Sequence, residues 1–371
     1  MRIAVDARSM GSRPSGIGMY LNDFLKELMK YSEFEFILLS DVATSEHIKY
    51  YESKGIEVRT QGKEVSKSIG VYSYFNFIQK QLDEIKPDVF WEVNTVIPIR
   101  LKGDFKTMIT IHDMFPIEYV EYFGHVYSIY FRHCLKKTLK NTDMILYNSK
   151  QTKHTTEKVF PEAKKIRNCN GYIISNPLDK EYEVEDGNYF LYVGNMEKRK
   201  GVDLMIKAYE QYRKKGGKKP MIFAGKMQEE DIRQLLNETM ERTEGMTYLD
   251  YVSHDKKMEL FSRCSCFVFP SKAEGFGMPI LEVMKFYKPI IVGNLDIFQE
   301  IAGDCINSFD LKGNEETQIK NLSDKMLEFL PEVDRKKYQE VVSRYAPEKL
   351  GNIVREFIDS CVQCSGYTRG L

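Results

Sequence analysis

Two doubly wound α/β domains are the architecture this sequence predicts, and three features predict it. Short apolar runs that read as buried strands alternate with amphipathic helical patterns, and the whole alternation occurs twice. The chain has 371 residues, more than one ordinary domain, and 42% of them are hydrophobic, enough to fill two cores. Between the two series lies a polar stretch without periodicity, Asn168 to Pro177, which ends in an Asn-Pro turn and reads as a linker.

The first series opens with a strand, Arg2 to Ala7. A helix from Ile17 to Tyr31 follows, because Ile17, Tyr20, Leu21, Phe24, Leu25 and Leu28 recur at the spacing of one helical face. Phe34 to Ser40 is the next strand, and Ile56 to Arg59, Val89 to Glu92, Thr107 to Ile111 and Met144 to Tyr147 continue the set. Helical patterns run from Tyr74 to Ile85 and from Tyr127 to Leu139. The second series places strands at Tyr189 to Gly194, Met221 to Ala224, Thr247 to Leu249, Cys266 to Pro270 and Ile290 to Val292. Helices at Val202 to Lys214, Glu229 to Arg242, Lys256 to Arg263 and Pro279 to Phe286 alternate with them. Open parallel sheets bind ligands at the carboxyl ends of their strands, so a ligand is expected in a cleft between the domains.

Composition narrows the function classes. Lys plus Arg equals Asp plus Glu at 54 each, so no global field draws the protein to nucleic acid. Met1 to Asp6 reads as a strand rather than a leader, and no apolar run approaches the ~20 residues that span a bilayer, so a cytoplasmic protein is expected. Seven cysteines without a secretory context read as thiols; Cys264-x-Cys266 and Cys361-x-x-Cys364 lack partners at zinc spacing, and no metal or cofactor is expected. Neither G-x-G-x-x-G after a strand nor G-x-x-x-x-G-K-[ST] occurs, so a phosphate ligand has to be held by other means.

Three groups of residues supply those means. Ser271-Lys-Ala-Glu274-Gly-Phe-Gly-Met-Pro-Ile-Leu-Glu282 puts two carboxylates eight positions apart around a Gly-rich turn between a strand and a helix. Glu274 falls in the loop and Glu282 one turn inside the helix, suited to hydroxyls of a ribose. Gly275 and Gly277 let the N–H groups of Phe276, Gly277 and Met278 approach an anionic ligand, and Pro279 suits the first helical position. Arg199 and Lys200 follow the strand Phe190 to Val193 and precede Gly201; they read either as a diphosphate grip or as a solvated basic turn. His112 closes the apolar strand Met108 to Ile111, as a site residue or as a satisfied core group, with Asp113 and Pro116 beyond it. Gly16 and Gly18 form a tight first strand-to-helix loop where backbone can approach a ligand. Aromatic clusters at Val71 to Phe77 and Tyr119 to Phe131 read as core, as an acceptor groove, or, beside Arg132, Lys136, Lys137 and Lys140, as a shallow membrane contact.

Taken together these strings resemble the retaining glycosyltransferases of family 4, which have the GT-B architecture and an E-x7-E signature. The resemblance rests on Ser15-Gly16-Ile-Gly18, Thr110-Ile-His112-Asp-Met-Phe-Pro116, Tyr192-Val-Gly194-Asn-Met-Glu-Lys-Arg199-Lys200-Gly201, Ile222-Phe-Ala-Gly225, Tyr248 to Val252, and the segment from Ser271 to Glu282. One departure is Met284-Lys-Phe-Tyr-Lys-Pro289, where the family has a turn of small residues. The resemblance implies an N-terminal acceptor domain, 1–172, completed by a crossing C-terminal segment, 347–371, and a nucleotide-sugar domain, 173–346. It implies transfer of a sugar from a nucleoside diphosphate sugar to a saccharide or lipid-linked saccharide, with retention and without a metal, in surface polysaccharide synthesis, at most peripherally at the inner face of the membrane. His112, Arg199, Lys200 and Glu274 would be catalytic. Gly16, Gly18, Gly194, Gly225, Val252, Gly275, Phe276, Gly277, Met278, Leu281 and Glu282 would complete the donor site. A GT-B sugar nucleotide epimerase and a non-catalytic sugar-nucleotide-binding subunit are the alternatives.

Overall fold

A computed structural model describes residues 1–11, 16–65 and 67–363, with the side chains of 67–69 left aside. Ser15 of the first glycine string, Cys364 and the tail after it lie outside the described residues. The chain forms two compact units, Met1–Asn176 with the segment from Tyr345 onward, and Pro177–Arg344.

The first unit is built on seven parallel strands in the order β3-β2-β1-β4-β5-β6-β7. They are β1 (Arg2–Asp6), β2 (Glu35–Ser40), β3 (Glu57–Thr60), β4 (Val89–Glu92), β5 (Lys106–Ile111), β6 (Met144–Tyr147) and β7 (Arg167–Asn170). The central strands are apolar throughout because helices cover both faces, and Ile3 to Val5, Val89 to Trp91 and Met144 to Tyr147 are fully buried. Trp91, the chain's single tryptophan, sits in that core with its indole N–H donated to Thr110 Oγ1 at 2.9 Å. The C-terminal helix Pro347–Gln363 packs against the helix Gly16–Leu28, where Tyr31 Oη donates to Asn352 Oδ1 at 2.8 Å and Arg355 pairs with Glu33 at 2.5 Å.

The second unit has six parallel strands in the order β10-β9-β8-β11-β12-β13. They are β8 (Phe190–Val193), β9 (Met221–Ala224), β10 (Met246–Leu249), β11 (Cys266–Phe269), β12 (Ile290–Gly293) and β13 (Asn307–Phe309). Its core is aromatic at the centre, with Tyr192 stacked on Phe269 at 6.4 Å and Phe267 on Phe269 at 5.5 Å. In each sheet the winding direction reverses once, between β1 and β4 and between β8 and β11. Crevices at the carboxyl ends of such strand pairs are where open α/β sheets bind ligands.

Both doubly wound sheets match the predicted fold class, and the differences lie at its margins. The stretch read as a linker overlaps β7, which pairs in parallel with β6 from Met144↔Arg167 to Tyr147↔Asn170. An edge strand is held by its backbone ladder, so it carries little apolar signal. The strand Asn307–Phe309 escapes the apolar pattern for the same reason. The crossing C-terminal segment is a helix from Pro347 to Gln363. Pro279 is the second residue of its helix, Met278–Met284, rather than the first. Among the described residues no helix is long and apolar enough to cross a membrane, and no group of three or more His, Cys, Asp or Glu side chains is placed to hold a metal ion.

Candidate active site

In the second unit the loops leaving β8 and β11 are locked together at the reversal point. Gly201 has φ +68, and a Cβ there would lie 2.1 Å from the Pro270 carbonyl oxygen, so only glycine allows the approach. Across the junction Lys272 N donates to Arg199 O at 2.9 Å, Arg199 Nη1 donates to Ala273 O at 2.9 Å, and Lys272 pairs with Asp203 at 2.9 Å. Gly225, at the end of β9, closes a third side: its amide donates to Leu249 O at 3.1 Å, and a Cβ there would meet Gly194 O at 2.0 Å. Three strand ends therefore form one fixed platform.

On that platform the predicted charges are paired. Lys200 Nζ lies 2.5 Å from Glu274 Oε1 and 5.4 Å from the Phe269 ring centroid, and Ser271 Oγ donates to the same Glu274 oxygen at 2.7 Å. Both contacts fall on Oε1. The carboxylate is only 7% exposed and the ammonium 17%, so water screens the pair weakly. Arg199 Nη2 is 2.5 Å from Glu197 Oε1. Beneath them burial, reinforced by the charges of Glu274 and Glu197, pushes the Tyr192 phenol well above its ordinary pKa; it stays a neutral donor, giving its proton to Asn195 O at 2.7 Å. Glu282 stands in a separate pair with Lys257, at 2.7 Å.

The remaining expected donor residues differ in how they are presented. Gly275 and Met278 are half-buried, Gly277 (φ +110) caps the helix Met278–Met284, and the Phe276 ring is buried, anchoring the loop. Val252 is half-buried in the turn after β10, beside Tyr251, which is 81% exposed. The Leu281 side chain is buried. Glu197, Ser271 and Lys257 were not singled out from sequence. Ser271 offered a signal in the Ser-x-x-Glu spacing, whereas the pairing of Lys257 with a residue 25 positions away offered none.

In the first unit His112 follows β5 and is buried, with its Nε2 2.9 Å from Val93 O and its ring edge-on to Tyr20 at 4.9 Å. A carbonyl only accepts, so Nε2 carries the proton and Nδ1 is left as the acceptor. Burial depresses its pKa to about 4, which keeps the ring neutral near pH 7. Asp113 Oδ1 accepts from Phe115 N at 3.1 Å. Gly16 and Gly18 lie in the first turn of a helix and not in the loop expected; Gly18 is needed because a Cβ would come within 2.1 Å of Ser9 O.

Comparison with known proteins follows the same division of the chain. Residues 14–181 match the family model described as Glycosyltransferase Family 4, and residues 176–348 match Glycosyl transferases group 1. Both halves are glycosyltransferase domains. The O-antigen chain mannosyltransferase RfbU of Salmonella typhimurium is 26% identical over 371 residues, covering 95% of this chain and 98% of that protein. The O-antigen chain mannosyltransferase B of Escherichia coli is 28% identical over 237 residues, 60% of this chain and 61% of that protein. Among solved structures, HepE of Anabaena in complex with UDP and glucose superposes with a TM-score of 0.70 at 14% identity, over 97% of this chain and all of that one. WaaG, a glycosyltransferase involved in lipopolysaccharide biosynthesis, gives 0.67 at 13% identity, over 95% of this chain and 99% of its own. The fold of this glycosyltransferase is GT-B.

Proposed function

We propose that this glycosyltransferase moves a hexose from a nucleoside diphosphate sugar to a hydroxyl of a saccharide or lipid-linked saccharide in surface polysaccharide synthesis, with retention and without a metal ion. The observation that carries the reading is the placement of Arg199, Lys200 and Glu274 on one rigid platform at the reversal point of the second sheet. Lys200 has three N–H donors, and its contact with Glu274 uses one, so two are left to meet phosphate oxygens. Arg199 straps the two loops and adds positive potential where the leaving diphosphate gains charge. Glu274, with Oε1 fixed by Ser271 and Lys200, offers Oε2 to a hydroxyl of the donor sugar. Glu282 serves the ribose, and Lys257 holds it in place.

In the transfer the bond from the anomeric carbon to the β-phosphate oxygen breaks, the acceptor oxygen bonds to that carbon on the same face, and the acceptor proton passes to the departing phosphate. His112, neutral and fixed by Val93 and Tyr20, acts as a shaping group beside the sugar rather than as an acid or base. The mannosyltransferase relatives make GDP-mannose the first donor to try, with UDP- and dTDP-sugars alongside. Exposed Val126 and Ile129 on the helix His125–Leu139, followed by Arg132, Lys136, Lys137 and Lys140, support a peripheral contact with the inner face of a membrane.

A panel of nucleoside diphosphates in thermal denaturation tests the donor assignment, because a ligand of the native state alone raises the melting temperature. One base should stand out, and its sugar conjugate should release nucleoside diphosphate in the presence of acceptor. A panel with no shift would remove the assignment.

A further inference from the structure

At the reversal point of the first sheet two acidic side chains meet one cation. Asp6 ends β1 and Glu92 ends β4, both fully buried, and Arg8 pairs with the first at 3.2 Å and with the second at 3.4 Å. Its guanidinium is set against the rings of Tyr74 and Phe75, 5.2 and 5.0 Å from their centroids, and lines a cavity of about 1110 Å³.

Hydrogen bonding serves the two carboxyl groups unequally. Asp6 Oδ1 accepts from Tyr74 Oη at 2.8 Å and from Arg8 N at 3.1 Å, and Oδ2 faces Arg8 Nε at 3.2 Å and Asn94 Nδ2 at 3.4 Å. On Glu92 only Oε1 is served, by Asn94 N at 2.6 Å and Arg8 Nη2 at 3.4 Å. Its Oε2 is buried and has no hydrogen-bond partner among the described residues. Tyr74, on the helix Lys67–Ile85, stays a neutral donor, since burial and the Asp6 charge push its phenol well above the ordinary value. A third carboxylate, Asp41 just after β2, acts on Arg8 but takes backbone donors of its own, Val42 N at 2.8 Å and Val65 N at 2.9 Å.

Among the described residues the donors to Asp6 and Glu92 therefore carry one positive charge, that of Arg8. Two ionised carboxylates would leave a charge uncompensated where water does not reach. Burial pushes the Glu92 carboxyl well above the usual carboxylate range, and the neighbouring Asp6 charge acts in the same direction.

We propose that Glu92 is a carboxylic acid in the folded protein, its proton turned to Asp6, and that in this form it is a positioning residue for the Arg8 guanidinium. With Glu92 neutral, Asp6 balances Arg8; loss of the proton would leave the cluster with a net negative charge behind the cavity wall. The assignment stands whether or not the chain transfers sugar.

Infrared difference spectroscopy, side-chain NMR and denaturant titration of the full chain test it. Wild type at pH 8 should show the C=O stretch of a protonated carboxyl, moved by 13C-glutamate labelling and absent from Glu92→Gln. As pH rises above the ordinary glutamate range, the unfolded chain gives up a proton that the folded chain keeps. The folding constant of wild type should therefore fall about tenfold per pH unit relative to that of Glu92→Gln between pH 5.5 and 7.5. The Arg8 Nε–H resonance should stay protected from exchange in Glu92→Gln, which preserves a neutral group of the same shape, and lose protection at least tenfold in Glu92→Ala. Should Glu92→Gln not fold, the wild-type spectrum decides, through a glutamate acid band that persists at pH 8 and exchanges slowly in D2O. Absence of that band, parallel pH dependence of the two proteins, or Arg8 as well protected in Glu92→Ala as in wild type would overturn the assignment.

Discussion

Lys200 and Glu274 form an ion pair largely shielded from water, and on the proposed reading binding and chemistry meet there. Lys200→Ala should cut turnover more than tenfold, above ~1.4 kcal/mol of transition-state stabilisation, with the melting temperature within a few degrees of wild type. Lys200→Arg keeps the charge but not the compact geometry that fits between Phe269 and Glu274, and should restore only part of the rate. The two glutamates should separate in calorimetry: Glu282→Ala weakens the free nucleoside diphosphate, whereas Glu274→Ala spares it and weakens the sugar conjugate. Equal losses of nucleotide affinity would undo that division of labour. His112 provides a pH test. Its folded pKa of about 4 lies below the ordinary 6.5, so the unfolded chain takes up the proton first as pH falls. The stabilisation is whole above pH 6.5 and is lost between 6.5 and 4. At pH 5 the loss amounts to about 2 kcal/mol, and denaturant titration should show His112→Asn losing less than wild type between pH 7.5 and 5. Arg199, Lys200, Glu274 and Glu282 were legible in sequence because each follows a strand end or opens a helix within a compact string. The counter-charge Lys257 was not, since its partner lies 25 positions away, nor was the cluster of Asp6, Arg8, Glu92 and Asn94, whose two strand ends lie more than 80 positions apart in the chain.

At the scale of elements, the loop Gly194 to Gly201 and the loop Pro270 to Gly277 behave as one part. Gly201→Ala forces a side chain into positive φ and against a backbone carbonyl that cannot yield cheaply. A cost of roughly 2–3 kcal/mol is expected, seen as a lower denaturation midpoint, together with loss of nucleotide binding. Unchanged stability and binding would mean that the loops are not coupled. The buried strands of both sheets were readable because parallel strands covered on two faces are apolar at every position. Edge strands β7 and β13 were not, because a ladder on one side places no such demand on the side chains. The departure after Glu282 also has a local explanation. Tyr287 takes φ +54, where the family's small residue would sit more easily, and it is held there by the Arg335 guanidinium 5.1 Å over its ring and by Gln339 donating to its hydroxyl at 2.8 Å.

For the whole molecule, the assignment divides labour between two units that are each complete in their own core. The second unit carries the donor platform, and the first carries His112 and the cavity at Arg8. Nucleoside diphosphate affinity should therefore be unchanged by His112→Ala, although turnover falls. The central claim is that the positive charges of the second unit supply the countercharge for a departing diphosphate, and the most direct measurement is release of nucleoside diphosphate from the preferred sugar nucleotide, with acceptor, in excess EDTA. Wild type should turn over at its rate without chelator, and Lys200→Ala should be more than tenfold slower while still folded. Complete loss of release in EDTA, restored by magnesium or manganese, or a Lys200→Ala protein as fast as wild type, would contradict it.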